Sequence, residues 1–375
     1  VTSEVERFRL ELRSWLVDHL TPEIKDAVRP GARDGDDAFG VHRAWNAVLF
    51  DAGYAAVSWP VEHGGRAADL DEQLACHEEM ASAGAPGPVN AIGVANIAPA
   101  IMAYGTSEQQ ERFLRPMLRG DEIWSQGMSE PDAGSDLASL RCAAELDGDH
   151  FVVNGQKTWN SLGHRADWCQ LYVRTNADVP KHEGITCLLV DMRTPGIEAR
   201  PITTMAGDHS FSDLFLSDVR VPSSAVLGDV DGGWAVATRT LSNERAGVAN
   251  LYLTQRAKLD RLLADVPPLD AVARDQVVCR YIEVRNLELL AKRVLGAARS
   301  GRAPGPEGSV IKLAWSLTDQ ALADTAVDVL GMGALSDGWA TNLLGSRSLT
   351  IAGGTTEVNR NIIGERVLGL PREPG

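Results

Sequence analysis

The segment WSQGMSEPDAGSDLASL (124–140) gathers small and hydroxyl-bearing residues around Glu130-Pro131 and the run Ala133-Gly134-Ser135-Asp136. That composition describes a tight polar turn. Small residues let backbone approach a bound ligand closely, and Ser129 and Ser135 add hydroxyl donors. On composition alone, a surface loop with a helix cap is the better account of the same residues. A second segment, TLSNERAGVAN (240–250), sets Glu244 beside Arg245. A carboxylate desolvated against an apolar group has its pKa raised toward neutrality and can serve as a general base. Adjacent opposite charges on a helix are, however, more often solvated surface. Cys76, Cys142, Cys169, Cys187 and Cys279 are scattered without a C-x-x-C pair, and no His/Cys cluster has zinc-ligand spacing, so neither a disulfide framework nor a metal is expected.

Three regions must position these segments. The first, 1–121, reads as helical: Val5, Phe8, Leu12, Trp15 and Leu16 recur at three- and four-residue steps. Further helices are predicted near 38–52, 70–83, 89–104 and 107–120, the last with Ser107 as N-cap, Gln110 completing a capping box and Gly120 as the stop. The middle region, 122–230, changes period. Asn154-Gly155 within HFVVNGQKTWNS (150–161) predicts a hairpin turn, and strands are expected at 169–175, 184–192, 197–202 and 211–222. Short strands at close intervals suggest a small barrel or sandwich. From 231 to 375 the helical period returns, with helices predicted over about 233–264, 270–300, 307–331 and 338–370, the pattern of a four-helix bundle. The fold class is therefore α+β, mostly α.

Bulk properties bound the function. The 375 residues exceed one compact core, and 44% hydrophobic with 23% charged residues is an ordinary globular balance. A net charge of −15 argues against a broad nucleic-acid surface but leaves room for a nucleotide held by local arginines and backbone N–H groups. Charges fall in every turn of VTSEVERFRLELRSWL (1–16), and no long apolar run occurs. A soluble, cytoplasmic protein without a membrane span is expected.

The exact strings carry more than their composition. SEPDAGSDLASL (129–140), NGQKTWNS (154–161), DVRVP (218–222) and IAGGTTEVNRNIIGERVLGLP (351–371) resemble signature segments of the acyl-CoA dehydrogenase family, in the family's order. GYAAVSWPVEHGG (53–65) and NAIGVANIAPAIMAYGTSEQQ (90–110) resemble its N-terminal helical domain. The resemblance spans essentially the whole chain. It implies an enzyme that uses FAD to dehydrogenate an acyl-CoA between Cα and Cβ, giving the 2-enoyl thioester. Gln126, Met128, Ser129, Trp159 and Ser161 match positions around the flavin ring, and Thr355 and Glu357 match C-terminal contacts to the cofactor. Asp328, Gly331 and Gly333 resemble a loop that meets a neighbouring subunit's flavin, while Ser135 and Ser242 fall on the substrate side. One family element is missing: where many members carry Arg-x-x-Phe-Gly, this chain reads ADVPPLDAVARDQ (264–276), with Arg274 as the nearest substitute.

The resemblance also relocates the catalytic base. Members of the commonest type place a Glu immediately before Gly-Thr in the C-terminal segment, and here that position is Gly353. The isovaleryl- and long-chain-type branches instead take the Glu from the first long bundle helix, directly before an Arg, which is where Glu244-Arg245 stands. Glu244 is then the expected base, with hydride passing to flavin N5, and the Gly353 N–H the expected donor to the thioester carbonyl. The family further implies an electron-transfer flavoprotein as acceptor and a homotetramer or homodimer. An oxidase or monooxygenase on the same fold, or one subunit of a heteromer, remain the alternatives.

Overall fold

The computed structural model describes residues 3–28, 35–247, 250–300, 305–336 and 338–372. In chain order the helices are α1 (Ser3–His19), α2 (Pro22–Asp26), α3 (Asp36–Asp51), α4 (Leu70–Ala83), α5 (Ala98–Tyr104) and α6 (Ser107–Arg119). Strands follow: β1 (Trp124–Gly127), β2 (Ala143–Asp147), β3 (His150–Ser161), β4 (Trp168–Arg174), β5 (Ile185–Asp191), β6 (Ile197–Ile202) and β7 (Phe211–Pro222). The remaining helices are α7 (Gly233–Gly247), α8 (Leu251–Asp265), α9 (Ala271–Arg299), α10 (Glu307–Leu330), α11 (Gly333–Ser336), α12 (Trp339–Ser346) and α13 (Thr356–Ile362). They form two compact units, one of residues 22–67 and 86–243, the other of residues 1–21, 68–85 and 244–375.

The first unit is built on the seven strands, ordered β1-β4-β2-β3-β7-β6 with β5 on the other side of β4. Its core is the inward face: Phe151, Val153, Leu171, Val173, Leu188, Leu214 and Val219, all nearly inaccessible. In β3 and β7 these residues alternate with more accessible ones, as a half-buried strand requires, whereas β4 and β5 are buried on both faces. Asn154-Gly155 does not turn. Residues 150–161 run as one strand against β7, with a register shift between Val153 and Gly155. Gly155 sits at φ +151°, and a Cβ there would lie 2.8 Å from Cys142 Cα, so the glycine permits close approach of Cys142 opposite the extra residue that β7 carries between Leu216 and Val219. The β2–β3 turn falls instead between Asp147 and His150, and both β1 and β2 were missed in the sequence. Helix α6 is capped by Thr106 rather than Ser107, with Gln109 completing the box, and Gly120 ends it at φ +83° as expected.

The second unit joins α1 and α4 to the helices beyond residue 244. Arg13 grips Glu79 through Nε at 2.9 Å and Nη2 at 2.8 Å, and Arg9 adds Nη1 at 3.2 Å. Leu259 and Leu262 of α8, Val284 of α9 and Leu322 and Ala326 of α10 form its core with Trp339 of α12. The helix expected over 233–264 is divided into α7 and α8. The one expected over 338–370 is broken: Gly353 and Gly354 take φ +66° and +90°, and Thr355 starts α13 afresh as its N-cap. Left-handed backbone in two successive residues ends a right-handed helix.

Candidate active site

In the first unit, the two flavin-like segments meet through a buried ion pair. Lys157 on β3 is fully inaccessible, yet its Nζ donates to Met128 O at 3.1 Å and to Glu130 Oε1 at 2.8 Å. Glu130 also accepts the backbone N–H groups of Arg141 (2.7 Å) and Cys142 (2.8 Å). Burying these charges is tolerable because the lysine and the carboxylate satisfy each other and nearby backbone. The adjacent Thr158 N–H donates to Ser129 O at 2.9 Å. Met128 and Ser129 are thereby held against Lys157-Thr158. Gln126, on β1, aligns with Gln170 of β4 and donates Nε2 to its Oε1 at 3.1 Å.

The next residue is strained. Trp159 has φ +60°, at a second register shift of β3 against β7. Left-handed backbone costs a non-glycine residue roughly 1–2 kcal/mol. The bulge leaves the indole 59% exposed, steadied only at its edge by Phe211 (5.9 Å between centroids, 81° between planes). An exposed tryptophan face beside an ordered backbone turn is a surface that a flat, amphipathic ring system such as an isoalloxazine fits. Ser161 closes β3, partly exposed. Ser135 lies in the exposed turn; its neighbour Asp136 pairs with Lys181 at 2.8 Å, which holds that carboxyl below its ordinary range.

Helix α7 leaves this sheet under tight constraints. A Cβ on Gly233 would lie 2.7 Å from the Thr186 carbonyl carbon, so only glycine lets the helix start so close to β5. Buried Tyr172 and Thr240 share a hydrogen bond at 3.2 Å. The backbone of residues 242–245 belongs to α7, while the side chains of Ser242, Glu244 and Arg245 lie outside what is described.

In the second unit, Gly353, Thr355 and Glu357 stand on one loop. Thr355 Oγ1 accepts the Val358 N–H at 3.2 Å, and Glu357 is exposed in the first turn of α13, where a carboxylate suits the helix dipole. Buried Asn359 donates Nδ2 to Gly354 O (2.8 Å) and Thr355 O (3.0 Å). Lys312 of α10, 5% exposed, donates Nζ to Leu349 O (2.8 Å) and Gly354 O (2.9 Å). Asp328, Gly331 and Gly333 form a separate exposed group where α10 ends, and Arg274 is exposed in the first turn of α9. Glu130, Lys157, Lys312 and Asn359 escaped the sequence reading. The available signal was Lys157, which shares the inward phase of Phe151 and Val153.

Three family models match the chain: acyl-CoA dehydrogenase N-terminal domain over residues 2–121, middle domain over 125–219 and C-terminal domain over 231–368. Acyl-CoA dehydrogenase IpdE1 of Mycolicibacterium smegmatis is 39% identical over 395 residues, covering 99% of each chain. Acyl-CoA dehydrogenase FadE34 of Mycobacterium tuberculosis is 40% identical over 369 residues, 98% of this chain and 51% of that one. Among solved structures, the ChsE4-ChsE5 complex from Mycobacterium tuberculosis has a chain with TM-score 0.85 and 34% identity, covering 100% of this chain and 99% of that one. The Tcur3481-Tcur3483 steroid ACAD gives TM-score 0.87 and 28% identity over 100% and 99%. With matches along its whole length and relatives near two-fifths identity, the chain belongs to the acyl-CoA dehydrogenase family and is an enzyme of that class.

Proposed function

We propose that the chain catalyses FAD-dependent α,β-dehydrogenation of an acyl-CoA to its 2-enoyl thioester, with Glu244 as base. Position 353 carries this reading. The residue standing where commoner family members place their base is a glycine at φ +66°, so that position offers no carboxylate, and Glu244 in the sequence of α7 takes the role instead. Gln126, Met128, Ser129, Trp159, Ser161, Thr355 and Glu357 would hold the flavin. When bound, FAD supplies a two-electron acceptor for the hydrogen leaving Cβ. Glu244 takes the proton from Cα, with Arg245 beside it in sequence. The Gly353 N–H donates to the thioester carbonyl as negative charge grows there, a contribution of roughly 2.7–4 kcal/mol for donors of this kind. Ser135 and Ser242 lie on the substrate side. The likeness to the Tcur3481-Tcur3483 steroid ACAD supports a bulky, polycyclic acyl group as substrate. An electron-transfer flavoprotein would accept the electrons, in the cytoplasm, and Asp328, Gly331, Gly333 and Arg274 would face the cofactor of a second copy in a homodimer or homotetramer. The division at 121/122 and 230/231 belongs to the same proposal.

Anaerobic mixing with a panel of acyl-CoAs, from short branched to polycyclic, tests it. The wild type bleaches its flavin with at least one of them. Glu244→Gln keeps flavin bound and loses bleaching by roughly 10²–10⁴-fold, the usual contribution of a positioned base. Full activity in that variant sinks the assignment. A second reading, that the chain is one subunit of a heteromer, is favoured by the absence of Arg-x-x-Phe-Gly across 264–276 and by the likeness to a chain of the ChsE4-ChsE5 complex. A flavin-replete protein when expressed alone excludes it.

A further inference from the structure

Gly353 and Gly354 both take left-handed backbone, at φ +66° and +90°. Glycine reaches those angles freely but reaches others as freely, so a glycine pair keeps one conformation only if outside bonds hold it. The bonds here come from α10. Lys312 reaches Leu349 O, before the pair, and Gly354 O, within it, at 2.8 and 2.9 Å. Asn359 Nδ2 also donates to Gly354 O, so that oxygen accepts two hydrogen bonds. Roughly two turns further along α10, Gln320 Nε2 donates to Thr350 Oγ1 at 3.1 Å and Ser346 O at 3.3 Å. One face of α10 is therefore a platform under residues 346–354.

We propose that Lys312 is a positioning residue for the catalytic loop: its buried ammonium staples the backbone on both sides of Gly353 and fixes the peptide whose N–H serves the thioester. The proposal rests on the role given to Gly353 above. An ammonium suits the task because a charged donor makes hydrogen bonds about twice as strong as a neutral one. The carbonyls offset part of the desolvation of that charge, so the loop and the lysine support each other. An apolar side chain of equal length fills the space but leaves Leu349 O without this donor.

Lys312→Met and Lys312→Gln, made in the full chain, separate positioning from packing. Hydrogen exchange of peptides covering 346–357 is followed beside kcat and KM for the best acyl-CoA. In Lys312→Met, exchange in that loop rises roughly tenfold or more while 124–161 is unchanged, and kcat falls about 10- to 100-fold with KM little moved, as expected when a transition-state donor is misplaced. Lys312→Gln, which keeps a neutral donor, falls between and carries both readouts if the methionine variant does not fold. Unchanged loop exchange overturns the proposal, as does faster exchange with kcat intact. If wild-type protein turns over no acyl-CoA and the variants still release the loop, the staple stands and the functional reading fails.

Discussion

Lys157 and Glu130 bury opposite charges beneath the segment that holds Met128 and Ser129. Removing one partner strands the other, which typically costs about 3–5 kcal/mol, whereas removing both costs less. Lys157→Met is therefore expected to lower the denaturant midpoint steeply, and Lys157→Met with Glu130→Gln to recover part of the loss. A double-mutant cycle by urea melting measures the coupling, and additive effects contradict it. At this scale the sequence suggested candidate contacts but not the residues that support them. Trp159, Met128 and Thr355 stand in recognisable strings, while Lys157, Lys312 and Asn359 act through burial and through partners 27 to 42 residues away or across a helix turn. A lysine's fate is decided by what folds over it. The proposal of Glu244 as base rests jointly on Gly353, since a lone Glu-Arg step has no face-to-face geometry.

Helices and strands were legible where their period was unbroken and illegible where a glycine changed its meaning. Asn154-Gly155 has the composition of a hairpin turn, yet β3 runs through it: Gly155 leaves room for Cys142, and β7 takes up the register shift between Leu216 and Val219. The segment 338–370 has a helical period, yet Gly353-Gly354 divides it and frees the loop that carries the proposed chemistry. Helices α1 and α4 were both legible, but not that they pack on each other. Arg13, then Arg9, hold the Glu79 carboxyl below its ordinary value of 4.5. A depressed acid stabilises the fold fully above its unfolded pKa and loses that contribution as pH falls through the folded value. Glu79→Gln should thus cost about 1.5–3 kcal/mol at pH 7, the range for hydrogen bonds to charged groups, with the gap to wild type closing below about pH 4. Thermal melts of both proteins across pH 3–7 show it, and a gap constant with pH rules it out.

Across the whole molecule, a net charge of −15 leaves recognition of an anionic thioester to local groups rather than to a general field. Among the described residues no helix is long and apolar enough to cross a membrane. The overall class, helices before and after a run of strands, follows from the two changes of period along the chain. The way the segments are shared does not, because α1 and α4 belong with residues 244–375 only through contacts distant in sequence. A fragment of residues 1–243 should accordingly aggregate, since the α1–α4 pair loses α8, against which α4 packs in the full chain. A monodisperse fragment in size-exclusion chromatography would contradict this. The same interleaving sets a timetable during synthesis. Helix α1 is made early, but α8, α9 and α10 of its unit are not, and at ~5–20 residues per second the ribosome needs on the order of 10–60 s to reach them. For that interval the nascent α1–α4 pair lacks the helix that α4 packs against, and is a natural client for a holding chaperone until the last third arrives.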